Sequence, residues 1–135
     1  MTIPSRHRAV VATGSGPVDV LSDVELDTPT PEPRDLLVEV RAVSVNPVDV
    51  KLRGGALPGG DGPQVLGYDA AGVVVAVGDQ VTAFAVGDEV YYAGSISRPG
   101  SNQQFQLVDE RVAGHKPASL DFAEAAALPL SLIHI

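Results

Sequence analysis

From Leu36 to Val45 the side chains alternate: Leu36, Val38, Val40 and Ala42 fall on one face, and Glu39 and Arg41 share the other with Leu37 and Val43. A period of two marks an extended strand with unlike faces. The segment before it, Thr28-Pro29-Thr30-Pro31-Glu32-Pro33, excludes a helix, because each proline lacks an amide donor and restricts its predecessor. Similar signals recur along the chain. His7–Ala12 is short and rich in β-branched residues, and Gly14-Ser15-Gly16-Pro17 then punctuates it. Val18–Leu26 alternates apolar with acidic residues. Ala70–Val77 is almost continuously apolar, with Gly72 marking a close backbone approach inside a buried strand. Glu89–Ala93 and Gln103–Val108 complete the set, the latter with Phe105 and Leu107 set against Gln104 and Gln106. Two similar stretches, Val77-Gly78-Asp79-Gln80-Val81 and Val86-Gly87-Asp88-Glu89-Val90, read as turns flanking a small corner.

Two places break the pattern. Asn46 is a good cap ahead of Pro47–Arg53, where proline suits a first helical turn and Gly54-Gly55 stops it. A Gly/Pro-rich loop, Gly54–Pro63, follows as either a lid or a surface excursion. Near the end, Asp121 and Glu124 are spaced as a capping box ahead of the alanine-rich Ala123–Leu128, which Pro129 ends or kinks. The expectation is a curled antiparallel sheet with one helix at its end and no βαβ unit.

Composition narrows the role. The chain has 135 residues, enough for one compact domain, and 44% of them are apolar against 19% charged. Its net charge of −8 argues against phosphate backbones and anionic lipid surfaces, so no nucleic-acid or membrane partner is expected. The absence of cysteine excludes disulfides, thiolate zinc sites and a cysteine nucleophile. No apolar run approaches the length of a membrane span, and Met1–Ala12 lacks the features of a secretory signal. A cytoplasmic location is the expectation.

Five segments carry a resemblance. Val45-Asn46-Pro47-Val48-Asp49-Val50-Lys51, Val65-Leu66-Gly67-Tyr68-Asp69-Ala70-Ala71-Gly72-Val73 and Val86-Gly87-Asp88-Glu89-Val90-Tyr91-Tyr92 are three of them. The others are Arg98-Pro99-Gly100-Ser101-Asn102 and Phe122-Ala123-Glu124-Ala125-Ala126-Ala127-Leu128-Pro129. Together they resemble the N-terminal GroES-like domain of medium-chain dehydrogenases/reductases, in the quinone-oxidoreductase-like branch often labelled zinc-binding alcohol dehydrogenase. The resemblance implies a mainly β (α+β) fold: a GroES-like partly open β-barrel with a short helix and a terminal helix. It also implies a following Rossmann domain that is missing from this chain. Residues 1–129 would be the substrate-side domain of a reductase that transfers hydride from NADPH to a quinone or an α,β-unsaturated carbonyl. That enzyme is a possible homodimer at full length. A non-catalytic GroES-like binding or structural module is the alternative.

The same resemblance suggests a site. Lys51 would line the nicotinamide end of the cleft as the catalytic cation, stabilising or protonating the carbonyl oxygen; a solvated lysine is the competing reading. Asn46 would hold the substrate carbonyl or the nicotinamide amide, besides capping the helix. Asp49 joins the substrate- and cofactor-binding set, although its place in a first helical turn is explained by the helix dipole alone. Tyr68 would line the substrate pocket. Zinc members carry Gly-His-Glu where this chain has Gly67-Tyr68-Asp69, and a cysteine where the short helix begins. The three histidines here, His7, His115 and His134, have no helically spaced partner, so no metal site and no zinc are expected. Gly14-x-Gly16 runs into Pro17 and is a turn, not a dinucleotide site.

The last residues, Leu130-Ser131-Leu132-Ile133-His134-Ile135, depart from the family pattern. The codons CTG TCT CTT ATA CAC ATC, the reverse complement of a transposon end used in sequencing libraries, encode this string. Residues 130–135 are therefore expected to be a non-native, adapter-derived tail, and this chain an N-terminal fragment that is inactive by itself.

Overall fold

The structure, a computed structural model, describes residues 3–12, 21–44, 64–93 and 100–127. The expected helix at Pro47–Arg53, the Gly54–Pro63 loop and the tail from 130 to 135 lie outside the described residues. In chain order come β1 (Arg6–Ala12), β2 (Leu21–Asp27), β3 (Asp35–Ser44), β4 (Gln64–Val65), β5 (Asp69–Val77), β6 (Glu89–Ala93) and β7 (Phe105–Asp109). A 3-10 turn at Glu110–Val112, β8 (Ala113–His115) and the helix α1 (Phe122–Ala126) follow. The fold is mainly β, with no βαβ unit among the described residues.

The strands form two antiparallel sheets, ordered β2-β1-β4 and β7-β3-β5-β6-β8. The chain just before β7 sews them together. Gly100, Ser101 and Asn102 donate their backbone N–H groups to the carbonyls of Val65, Gly67 and Leu66 at 2.9, 2.8 and 3.0 Å. Val10 N–H reaches Asn102 O at 2.9 Å, Gln104 N–H reaches Arg8 O at 3.0 Å, and Val40 N–H reaches Gln104 O at 2.8 Å. One short segment thus holds β1, the turn after β4, and β3. This seam curls the two sheets into a partly open barrel.

The main core lies on one face of the larger sheet, where Leu36, Val38, Ala70, Val74, Val90, Tyr92 and Val108 pack with Phe84. The other face of β5 is covered by α1, with Ala71, Ala125 and Ala126 packed between Ala42, Tyr91, Leu120 and Phe122. Coverage on both faces is why β5 reads as a continuous apolar run. The small residues let the helix approach closely. Gly72 meets the expected close approach: a Cβ there would collide with Glu39 O and lie 2.7 Å from Val38 Cγ1.

One face assignment needs correction, and in β7 the alternation holds with the glutamine side turned inward. Ala42 does not share the face of Leu36, Val38 and Val40. Val40 pairs with Gly72 and Ala42 with Ala71, so Arg41 has no partner in the ladder. This bulge inserts one residue and turns Ala42 to the helix side. In β7 the inward residues include Gln106 and Val108, both 2% exposed. Gln106 is tolerated in the barrel because its Oε1 accepts the Tyr92 hydroxyl at 2.7 Å. Phe105 is buried on the opposite side, edge-on to His7. Tyr92 faces the core and Tyr91 faces the helix, as strand alternation requires.

The two Gly-Asp corners serve different ends. At Gly78 a side chain would strike Glu32 O, and the Gly78 N–H is bonded to Asp35 O at 2.9 Å. Gly87 has open space around it but a φ of +98°, which L-residues avoid. The corner between them is pinned by buried Glu110, whose Oε1 accepts from Thr82 and Ala83 N–H at 3.2 Å each. The helix begins with a complete capping box: Asp121 accepts from Glu124 N–H at 2.7 Å, and Glu124 Oε1 accepts from Asp121 N–H at 3.1 Å. Lys116 steadies its approach through Glu89 Oε1 and Pro117 O, each 3.2 Å from Nζ, and through Leu120 O.

Candidate functional site

The candidate site grows from the turn between β4 and β5. Gly67 adopts a φ of +98°, and a side chain there would lie 2.6 Å from both Ser101 Oγ and Asn102 Oδ1. From the other side, a Cβ on Gly100 would collide with Gly67 O. Two glycines therefore let the strands cross at van der Waals distance. The crossing places Tyr68 and Asp69 at the head of β5 beside Ser101 and Asn102. Two of the motifs that carried the family resemblance meet here, although about thirty residues separate them in the chain.

Tyr68 is buried at 2% exposure and Asp69 at 0%, and neither side chain is without a partner. A wholly buried carboxylate is stable only with such compensation. Ser101 differs: its Oγ is buried and makes no hydrogen bond. This turn thus gathers a phenol, a carboxylate, a carboxamide and an unpartnered hydroxyl on a backbone that is heavily hydrogen-bonded. Groups carried on such a backbone keep fixed directions.

Of the sequence-predicted residues, the structure places Tyr68. Asn46, Asp49 and Lys51 lie outside the described residues. β3 ends at Ser44, which pairs with Asp69, so the chain leaves for the segment bearing them from beside the turn. Residue-type reasoning did not single out Asp69, Ser101 or Asn102. Asp69 had one signal, a charge at the head of an apolar run. Ser101 and Asn102 sat inside a recognised motif, but their meeting with Gly67 depends on a long-range crossing.

Among the described residues, no three His, Asp or Glu side chains gather as a metal site would require. Nor is there a glycine-rich turn leading from a strand into a helix, the unit that cradles a pyrophosphate. The described residues do not fit the phosphate end of a dinucleotide.

The profile of the alcohol dehydrogenase GroES-like domain matches residues 32–133. The chain belongs to that family. It is a GroES-like domain of the medium-chain dehydrogenase/reductase type. It is 44% identical over 109 residues to a zinc-type alcohol dehydrogenase-like protein of Staphylococcus epidermidis, covering 81% of this chain and 32% of that one. It is 40% identical over 141 residues to the chloroplastic NADPH-dependent alkenal/one oxidoreductase of Arabidopsis thaliana, covering 97% of this chain and 36% of that one. Among solved structures, a candidate zinc-dependent alcohol dehydrogenase of Rhizobium etli superposes with a TM-score of 0.89 at 56% identity, over 95% of this chain and 38% of that one. The quinone oxidoreductase of Coxiella burnetii gives 0.86 at 30% identity, over 92% and 41%. This GroES-like domain spans about a third of the length of these curated relatives.

No helix among the described residues is long and apolar enough to cross a membrane.

Proposed function

We propose that the whole protein is an NADPH-dependent reductase of quinones or α,β-unsaturated carbonyls that works without zinc. The observation carrying this reading is the likeness to an alkenal/one oxidoreductase along nearly the whole chain. Independence from zinc is supported by residue chemistry. Tyr68 stands where zinc members of the superfamily place a histidine, its side chain is buried, and the chain has no cysteine. When bound, the dinucleotide supplies a hydride. In this proposal Lys51 donates to the carbonyl oxygen of the substrate, where negative charge would develop. Asn46 and Asp49 bind on the substrate and cofactor side, and Tyr68 lines the pocket. A cytoplasmic location, expected from the lack of a secretory signal in the sequence, and a homodimer at full length, implied by the family resemblance, are part of the same reading. So is the inactivity of the 135-residue chain alone, since its described residues hold no phosphate cradle.

The test uses the complete gene product, with NADPH oxidation followed against 1,4-benzoquinone and a simple enone, before and after a metal chelator. Turnover should survive chelation, and Lys51→Met should lower kcat by roughly 100-fold. Loss of turnover on chelation, restored by zinc, would overturn the metal-free reading. No turnover with either substrate would favour a non-catalytic binding module.

A further inference from the structure

His7 is 3% exposed on β1, a strand that brings no other titratable side chain into the interior. Its imidazole is held on both nitrogens. Nε2 lies 2.8 Å from Gln103 Oε1, and Nδ1 lies 3.3 Å from Thr28 Oγ1. The ring stands edge-on to Phe105 with centroids 5.9 Å apart. Gln103 in turn donates Nε2–H to Gly100 O at 2.7 Å. Since the amide nitrogen of Gln103 faces a carbonyl, its oxygen must be the acceptor from His7. The hydrogen-bond pattern therefore assigns the proton to Nε2, leaving Nδ1 to accept from the Thr28 hydroxyl.

The relay ends where the seam is weakest in side chains. Gly100 has none, and the Ser101 hydroxyl makes no hydrogen bond. Apolar packing thus gives this stretch little hold, yet its three N–H groups must stay aligned with Val65, Leu66 and Gly67 for the crossing to exist. We propose that His7, acting through Gln103, is the positioning residue that holds Gly100–Asn102 across the Gly67–Tyr68 turn. Its functional meaning rests on the reading of Tyr68 as a pocket residue. The relay itself does not.

Amide hydrogen exchange on the complete gene product tests the relay, with His7→Phe, His7→Gln, Gln103→Leu and the double variant His7→Phe/Gln103→Leu. His7→Phe and Gln103→Leu should each speed exchange at Gly100, Ser101 and Asn102 by roughly tenfold, the effect of losing one hydrogen bond. Leu36 and Val74 should hold their rates. The double variant should be no worse than either single one, because both cut the same chain of bonds. His7→Gln, which keeps a donor, should restore protection. Long-range 1H–15N spectra of the unaltered chain should show the Nε2–H tautomer, and Gln103→Leu should abolish that preference. Uniform acceleration that includes Leu36 and Val74, additive single effects, or an Nδ1–H tautomer would overturn the proposal. If His7→Phe fails to fold, Gln103→Leu and the tautomer still decide it. These readouts need no turnover, so a failed reductase assay leaves the relay standing and removes only its link to substrate.

Discussion

In the larger sheet, Leu36, Val38, Val74 and Val90 are sealed from solvent and fill a core continuous from β3 through β6. Among the described residues, the smaller sheet has only Ala9, Val11 and Val65 in its buried cluster, with Val24 and Leu26 half-covered at its margin. What the smaller sheet lacks in apolar area it recovers in directed bonds, through the seam at Gly100–Gln104 and the His7–Gln103 pair. Apolar packing tolerates small shifts of its members, whereas a hydrogen bond weakens steeply with angle. The region beside Tyr68 is thus the one held to fixed directions.

Glycine substitution is the strongest way to break this contrast. Gly72→Ala forces β3 and β5 apart at the centre of the larger sheet, and a loss on the order of 4 kcal/mol or more is expected. Gly100→Ala meets Gly67 O instead and should cost about 1–3 kcal/mol, opening the seam while the larger sheet survives. Urea unfolding followed by two probes, total β signal and exchange at Ser101, separates the cases. A single concerted transition in Gly100→Ala would show that the two regions are not separable.

Truncation inside each cluster gives the next effect. Leu36→Ala should cost about 2–5 kcal/mol. Val11→Ala should cost less, about 2 kcal/mol, since fewer buried atoms are removed and the cluster is shallow. Equal losses in chemical denaturation would mean that the smaller cluster contributes more than its area suggests.

The smallest effect concerns a polar pair inside the main core, Tyr92 with Gln106. Tyr92→Phe leaves Gln106 Oε1 without that donor and should cost about 1–2 kcal/mol at neutral pH. Burial also pushes the Tyr92 phenol above the ordinary tyrosine range. The folded state therefore favours the neutral phenol. Its contribution is complete below the unfolded value of about 10 and is lost as pH rises beyond it. Urea midpoints at about pH 9 and 11 should fall more steeply for the native sequence than for Tyr92→Phe. Parallel slopes would remove Tyr92 as the source.

How much was readable in the sequence follows the same division. Alternation located β3, the apolar run located β5, and the Asp121–Glu124 spacing located the capping box, because each depends on neighbours a few residues apart. Gly72 was readable too, since a lone glycine in an apolar strand marks a spot where a second backbone leaves no room for a side chain. The bulge at Arg41 was not, for nothing local marks an inserted residue, and Ala42 was assigned to the wrong face. Which face of β7 turns inward was not legible either, because the hydroxyl that makes the burial of Gln106 tolerable belongs to Tyr92, on another strand. His7 and Gln103 are 96 positions apart, so their pairing leaves no short-range trace. At the candidate site, Tyr68 was legible from its motif, while Ser101 and Asn102 acquired meaning only when the glycine crossing brought them to it.

Gly87 bears on synthesis as well as on folding. Its backbone sits in the region native to mirror-image amino acids, and it is exposed with nothing crowding it. A D-alanine placed there by chemical ligation would adopt the observed φ without distortion, whereas L-alanine would resist it. The D-residue would also narrow the choices open to the unfolded chain, a gain of roughly 0.4–1 kcal/mol. Gly78, with the same Asp neighbour but Glu32 O against it, offers no such opening. Chirality at a single atom would tell the two corners apart.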